Sequence, residues 1–152
     1  MPQKQTLERA RRDKREGKAP STQAGEFIRE EIDDIRAGKH GARSTKQAIA
    51  IGLSMARRAG VDLPPPVAGK ASPQTRKSAT RDYTRGHGAP ARRAASPKRA
   101  RASLQALKRE STAAASPQAL SNQARSAARQ RSPTQRSAAA RKAAHTRAAR
   151  SR

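Results

Sequence analysis

The feature that most constrains this sequence is a shortage of large apolar side chains combined with a large positive charge. Leucine, isoleucine, valine and phenylalanine together contribute only 14 of the 152 residues. The chain carries 35 Lys and Arg against 11 Asp and Glu, a formal net charge of +24. Chains with fewer than roughly 20% of these apolar residues and a high net charge rarely bury enough surface to offset their conformational entropy. The composition therefore predicts a mostly disordered protein with a small folded module.

Several protein classes are excluded or disfavoured by what the sequence lacks. Cysteine is absent, which excludes disulfide scaffolds and thiolate chemistry. No apolar run approaches the ~20 residues of a membrane span, so we expect no membrane partner and a cytoplasmic location. The histidines at 40, 87 and 145 have no carboxylate at ligand spacing in the sequence. We therefore expect no metal, no cofactor and no enzymatic activity.

The charge is distributed unevenly about the triple proline at 64–66. Residues 1–63 hold 14 basic and 9 acidic side chains, whereas residues 64–152 hold 21 basic and 2 acidic ones. Successive prolines cannot continue a helix and favour an extended spacer. The predicted organisation is a charged segment over 1–19 that is a marginal helix or disordered, a folded module over 20–63, a border at 64–66 and a disordered Ala/Arg/Ser/Pro-rich tail over 67–152.

The predicted module is all-α. Apolar residues from Ala24 to Ile35 recur at helical spacing and favour a helix over about residues 22–37. A capping box, in which Ser44 is the N-cap and Gln47 reaches back, begins a second helix that runs through Ala59. Two short helices joined by a tight connection form a helical hairpin that is helix-turn-helix-like. Because its core is small, a homodimer through residues 20–63 would help to stabilise it.

Duplex DNA is the predicted partner, because cationic side chains that neutralise phosphates release condensed counterions whatever the base sequence. Two groups of residues are the candidates for this contact. The first is a polar strip on the second predicted helix, with the apolar back and polar front of a recognition helix; it comprises Lys46, Gln47, Arg57 and Arg58, with Ser54 among them. The second is the set of tail cations Lys98, Arg99, Arg101, Arg125, Arg129, Arg131, Arg136, Arg141, Lys142, Arg147 and Arg150.

Ser-Pro dipeptides recur in the tail at 72–73, 96–97, 116–117 and 132–133. A Ser-Pro turn followed by two cations, as in Ser96-Pro97-Lys98-Arg99, is a compact unit that can lie along a minor groove. This unit resembles those of linker-histone tails, a resemblance of composition only. The Ala/Arg stretches between the dipeptides have good helix propensity but repel themselves in water, so we expect them to become ordered on a polyanion.

Residues 20–66 resemble a family of small basic bacterial proteins of largely unknown function, often labelled DNA-binding, histone-like or plasmid stabilisation protein. The matching stretches read PSTQAGEFIREE, GKHGARSTKQAIAIGLS and ARRAGV. The resemblance implies DNA binding linked to plasmid maintenance and supplies no catalytic residues.

These observations predict a non-enzymatic, nucleoid-associated, histone-like protein that binds DNA largely without regard to sequence. One alternative is a protein-interaction module, such as an antitoxin or partition accessory, in which the acidic face of the first predicted helix docks a partner. A second alternative is a basic protein associated with RNA or the ribosome, which the sequence does not distinguish from a DNA-binding one.

Overall fold

A computed structural model describes residues 2–88 and 96–150, and for Arg150 it describes the backbone alone. The helices are α1 (Lys4–Arg15), α2 (Pro20–Arg36), α3 (Thr45–Arg58), α4 (Pro73–Gly86), α5 (Pro97–Lys108), a 3₁₀ helix (Thr112–Ala115), α6 (Pro117–Arg129) and α7 (Pro133–Arg150). No strand occurs in these residues. The chain divides into two compact units, residues 1–116 and 117–152, and the prolines at 64–66 lie within the first.

In the first unit, α2 and α3 form a central helical pair that α1, α4 and the 3₁₀ helix cover. Helix α1 packs against α2, helix α4 packs against α3, and the 3₁₀ helix contacts both members of the pair. The capping box at the start of α3 differs from the expected one in one partner. Ser44 Oγ accepts from the backbone N–H of Gln47, but Gln47 Oε1 accepts from the N–H of Arg43, one residue before the cap.

Small side chains make up most of the core of the first unit. Phe27 and Ile35 are fully buried, but most of the other buried apolar residues are alanines. Alanine buries little area per residue, yet it is the best helix former and loses no rotamer freedom when it is buried. The buried alanines are Ala10, Ala24, Ala42, Ala48, Ala56, Ala79, Ala114 and Ala115.

The segment that follows α5 is docked on the turn between α2 and α3. The N–H of Gly41 donates to the carbonyl oxygen of Leu107 at 2.9 Å. Thr45 Oγ1 donates to the carbonyl oxygen of Ala114 at 2.7 Å, in a buried position. Gly41 permits this approach, because a Cβ there would overlap the backbone carbonyl of Glu110. Residues about 70 positions apart in the sequence are thus joined by hydrogen bonds to backbone carbonyl groups.

The Ser-Pro dipeptides begin helices. Helices α4, α5, α6 and α7 each have proline as their first residue, directly after Ser72, Ser96, Ser116 and Ser132. Ser132 and Gln135 form a complete capping box, with backbone-to-side-chain hydrogen bonds of 3.2 Å in both directions. Proline suits the first helical position because its missing N–H would have no helical partner there, and serine suits the N-cap.

The prediction of a mostly disordered, intrinsically disordered protein is wrong, since 73% of the chain is helical. The prediction rested on the small number of large apolar side chains. This fold depends instead on contacts of alanine and glycine residues and on helices that begin at serine-proline pairs. The described residues of the 67–152 segment contain four α-helices and the 3₁₀ helix, so the Ala/Arg stretches among them are already helical without a polyanion. The N-terminal segment forms α1, which buries the small residues Thr6 and Ala10 against α2.

Candidate nucleic-acid interface

The polar strip predicted on α3 is only partly available to a ligand. Lys46 is exposed, and Gln47 is half-buried because its side chain caps the helix. Arg57 is only 8% exposed. Its Nε donates to the carbonyl oxygen of Leu63 at 3.0 Å and its Nη2 donates to that of Pro64 at 3.3 Å. Arg57 therefore holds the 61–66 segment against α3, and we leave it out of the proposed interface.

Helix α4 covers the other half of this strip. Ser54 Oγ donates to Asp82 Oδ2 at 2.6 Å, and Arg58 Nε lies 4.0 Å from Asp82 Oδ1. Asp82 is itself buried, and its charge opposes the lowering of the Arg57 pKa that burial causes. Ser54 and Arg58 therefore join α3 to α4, although Arg58 itself remains exposed.

The acidic face of α2 is used inside the first unit. Glu26 forms an ion pair with Arg9 of α1 at 2.6 Å, and Glu30 Oε1 accepts from the backbone N–H of Gln3 at 2.9 Å. Asp34 pairs with Lys39 at 2.5 Å, which raises the pKa of that lysine. These contacts explain why a charged helix such as α1 packs stably, and they leave little of the acidic face for a partner.

Two of the histidines lie close to carboxylates in space. His40 Nε2 is 3.8 Å from Glu31 Oε2, and His87 Nε2 is 4.0 Å from Asp62 Oδ1. His87 also stacks on Tyr83, whose hydroxyl donates to Asp62 at 2.5 Å and whose pKa is raised by that hydrogen bond. In the part of the chain that the structure describes, no group of three or more His, Asp or Glu side chains forms a metal-binding cluster.

Helix α5 presents three of the predicted cations. Ser96 Oγ accepts from the N–H of Arg99 at 3.3 Å, so this Ser-Pro unit is a helix start. Lys98, Arg99 and Arg101 are exposed, and no residue of α5 is buried. The two residues that follow the proline are thus fixed in the first turn of a helix.

The remaining predicted cations lie on the second unit. Its 36 residues contain nine Lys and Arg and no Asp or Glu. All of the predicted residues whose side chains are described there are exposed: Arg125, Arg129, Arg131, Arg136, Arg141, Lys142 and Arg147. The side chain of Arg150 lies outside the described residues. Arg136 Nη1 donates to the carbonyl oxygen of Arg131 at 2.8 Å, which joins the connection between α6 and α7 to the first turn of α7.

The cations of α7 are distributed around the helix and not confined to one stripe. At 100° per residue, Arg136 and Arg147 share one side, Arg141 lies on the opposite side, and Lys142 lies between them. With 18 residues and a rise of 1.5 Å each, α7 is about 27 Å long. Helix α7 therefore presents cations on several of its sides to a polyanion.

Sequence reasoning did not identify an apolar groove in the first unit. A cavity of about 440 Å³ lies between α1, α3 and α4, and a second cavity of about 160 Å³ continues along α1. Leu7 and Ala59 line both cavities. Leu7 and Ala10 lie on one face of α1, with Lys14 one turn further on. Two apolar residues are a weak apolar pattern in a helix that is otherwise charged. Among the described residues, no helix has the length and apolarity to span a bilayer.

Residues 3–66 match the model of a family of unknown function, DUF6496. The matched region contains α1, α2 and α3 and ends at the triple proline. No curated protein and no solved structure matches the chain. The family description assigns no activity or ligand, and nothing in these comparisons connects the chain with DNA-binding or histone-like proteins.

Proposed function

We propose that this protein binds duplex DNA through the exposed cations of α6 and α7, without catalysis and largely without regard to base sequence. The observation that carries the proposal is the charge of the second unit, which has nine cations and no carboxylate. Net charge of one sign on a small helical unit is the electrostatic signature of a polyanion-binding surface.

The physical basis of binding is the release of condensed counterions. The logarithm of the affinity falls linearly with the logarithm of the salt concentration, with a slope of about −0.9 per phosphate engaged on duplex DNA. Because the cations of α7 lie on different sides of the helix, one duplex reaches only some of the seven described cations; contact by about five of them would give a slope between about −4 and −5. Arginine suits these contacts because its planar guanidinium donates two hydrogen bonds to one phosphate.

Because α6 and α7 are already helical, they should bind DNA more tightly than a disordered tail with the same charges. A disordered segment must lose conformational entropy when it orders on its ligand, whereas a preformed helix has already lost it. The spacing of the cations along α7 is also fixed, so the number of phosphates reached is set by the helix.

The test compares two variants of equal net charge in the full chain. One variant replaces Arg125, Arg129, Arg136 and Arg141 with glutamine. The control variant replaces four exposed arginines of the first unit, at 15, 29, 43 and 81, with glutamine. Glutamine has nearly the helix propensity of arginine, so both variants should fold. We expect the first variant to reduce the salt slope by about 2 to 3 on several unrelated duplexes, since Arg136 and Arg141 lie on opposite sides of α7 and do not both reach one duplex, and the control to reduce it by less than about 1.

Two outcomes would contradict the proposal. An equal reduction of the salt slope in the two variants would mean that net charge alone attracts DNA and that α6 and α7 form no particular binding surface. Tighter binding of a structured RNA than of duplex DNA at the same salt concentration would favour the alternative of an RNA- or ribosome-associated protein.

A further inference from the structure

The groove in the first unit combines an apolar floor with a cationic rim. Pro2, Leu7, Met55 and Ala59 line its larger cavity together with two arginines, Arg58 and Arg85. Its smaller cavity reaches the buried Phe27 and Val61 and has Arg11 and Lys14 at its edge. The larger volume of about 440 Å³ lies within the range of about 300–1,000 Å³ that is typical of ligand sites.

The rim cations lie on both sides of the groove and are mostly free to bind. Arg11 and Lys14 belong to α1, whereas Arg58 and Arg85 belong to α3 and α4. All four are exposed, and no carboxylate lines either cavity. Arg58 has a distant contact with Asp82 at 4.0 Å, while no ion pair is found for the other three among the described residues. An occupant of this groove must therefore be apolar on one face and anionic at its edges.

A second copy of this chain does not meet that requirement. Val67 is 68% exposed, but no carboxylate lies among residues 63–71; Leu104 is the most exposed leucine, at 45%, and its neighbours on α5 are Arg101 and Lys108. Those two cations would face the cations of the rim, and like charges at close range oppose docking. On α2, Glu26 and Glu30 are held in contacts within the first unit, and the exposed Asp33 offers only a single charge. The complementary partner is a different molecule.

We infer that this groove binds an acidic amphipathic helix of another protein. Apolar side chains at positions i, i+4 and i+7 would enter the groove beside Leu7, Met55 and Ala59, as in other helix-in-groove complexes. Glutamate or aspartate on the flanks would pair with Arg11 and Lys14 on one side and Arg85 on the other. This contact is separate from the DNA surface proposed for α6 and α7.

Ala59 and Ala37 provide a matched pair of substitutions. Each is the exposed residue that ends a helix, with φ −81° and ψ 0° at Ala59 and φ −75° and ψ 0° at Ala37. Only Ala59 lines the groove. Glutamate at either position opposes the dipole at a helix C-terminus to a similar extent. Ala59→Glu therefore tests the groove, and Ala37→Glu controls for stability and charge.

The probe is a labelled synthetic helix of about 16 residues, rich in glutamate, with leucines at i, i+4, i+7 and i+11. Its control replaces the leucines with alanines, which preserves helicity and charge. Fluorescence anisotropy is measured with the full chain in about 0.5 M NaCl, where contacts made by charge alone are largely lost. We expect the leucine peptide to bind at least about tenfold more tightly than the alanine peptide, and Ala59→Glu to remove that difference while Ala37→Glu retains it.

A second pair of variants tests the rim. In about 0.1 M NaCl, where exposed ion pairs are screened less than at about 0.5 M, Arg11→Gln with Arg85→Gln should weaken binding of the leucine peptide severalfold, whereas Arg29→Gln with Arg81→Gln should not. Equal binding of the two peptides, or equal effects of Ala59→Glu and Ala37→Glu, would overturn the inference. Loss of duplex DNA binding in Ala59→Glu but not in Ala37→Glu would assign the groove to nucleic acid instead. If Ala59→Glu and Ala37→Glu both leave DNA binding unchanged, the groove is separate from the DNA surface proposed for α6 and α7.

Discussion

Gly52 of α3 lies directly against the backbone of Ile28 in α2. A Cβ at position 52 would be 2.7 Å from the Cα of Ile28 and 2.9 Å from its nitrogen. These atoms belong to the helix backbone and cannot move aside without separating the two helices. The close crossing compensates for the lack of large apolar side chains, because backbone and Cβ atoms contact each other directly.

Gly52→Ala should therefore destabilise the protein, whereas Gly25→Ala should stabilise it. Overpacking at position 52 is expected to cost about 1–3 kcal/mol, or more if the helices separate. A Cβ at Gly25, in the middle of α2, would meet nothing within 4 Å, so only the gain in helix propensity of up to about 1 kcal/mol remains. Urea unfolding followed by circular dichroism measures both changes. Stabilisation by both substitutions would show that α2 and α3 do not cross closely at Gly52.

Arg57→Ala should be the most destabilising substitution among the predicted DNA-binding residues. Its guanidinium satisfies the carbonyl oxygens of Leu63 and Pro64, and it is almost fully buried. Loss of both charge-assisted hydrogen bonds is expected to cost about 2–3 kcal/mol. Lys46→Ala, at an exposed position of the same helix, should change the stability by less than about 0.5 kcal/mol. Equal effects in a denaturant titration would contradict a structural role for Arg57.

The helices of the 20–63 module could be predicted from sequence, because they carry the usual signals. Apolar periodicity marks α2, and the serine cap and the glycine that follows the helix mark α3. The observed bounds, Pro20–Arg36 and Thr45–Arg58, differ from the predicted ones by one or two residues. The predicted polar strip was less informative, since helical spacing places Arg57 on a polar face but does not reveal that the chain folds back over it.

The helices after residue 66 were missed although their start signals are in the sequence. Serine followed by proline is a good N-cap and first-turn pair, but it was interpreted as a turn for a DNA groove. The docking of Ala114 and Ala115 on the 41–45 segment has no such signal, because small residues give no apolar periodicity. The groove was missed for a similar reason, since its walls come from α1, α3 and α4 together.

Ser132→Ala should weaken the helix that carries most of the proposed DNA contacts. Ser132 and Gln135 form the capping box of α7, and removal of the hydroxyl is expected to cost about 1 kcal/mol of helix stability. Ser137→Ala, within the same helix and exposed, should slightly stabilise it through propensity. Amide hydrogen exchange across residues 133–149 measures both effects. Equal exchange rates in the two variants would show that the cap does not determine the order of α7.

Glu31→Gln should make the protein more stable at neutral pH, with a gain that disappears in acid. Burial raises the pKa of the Glu31 carboxyl above its usual 4.5, and the charges of Asp34 and Glu30 act in the same direction, while His40 opposes them. A carboxyl that binds its proton more tightly in the folded state loses stability as the pH rises from 4.5 through the folded pKa.

Glutamine removes the buried charge, so the expected gain is about 1 kcal/mol above pH 7 and close to zero at pH 4. Asp33→Asn, at an exposed position of the same helix, controls for the loss of one acidic residue. Thermal unfolding at several pH values measures the difference between the variants. If Glu31→Gln were less stable than the unmodified chain at pH 8, the 3.8 Å contact with His40 would outweigh the cost of burying the carboxylate, and Glu31 would be a structural anchor for the turn between α2 and α3.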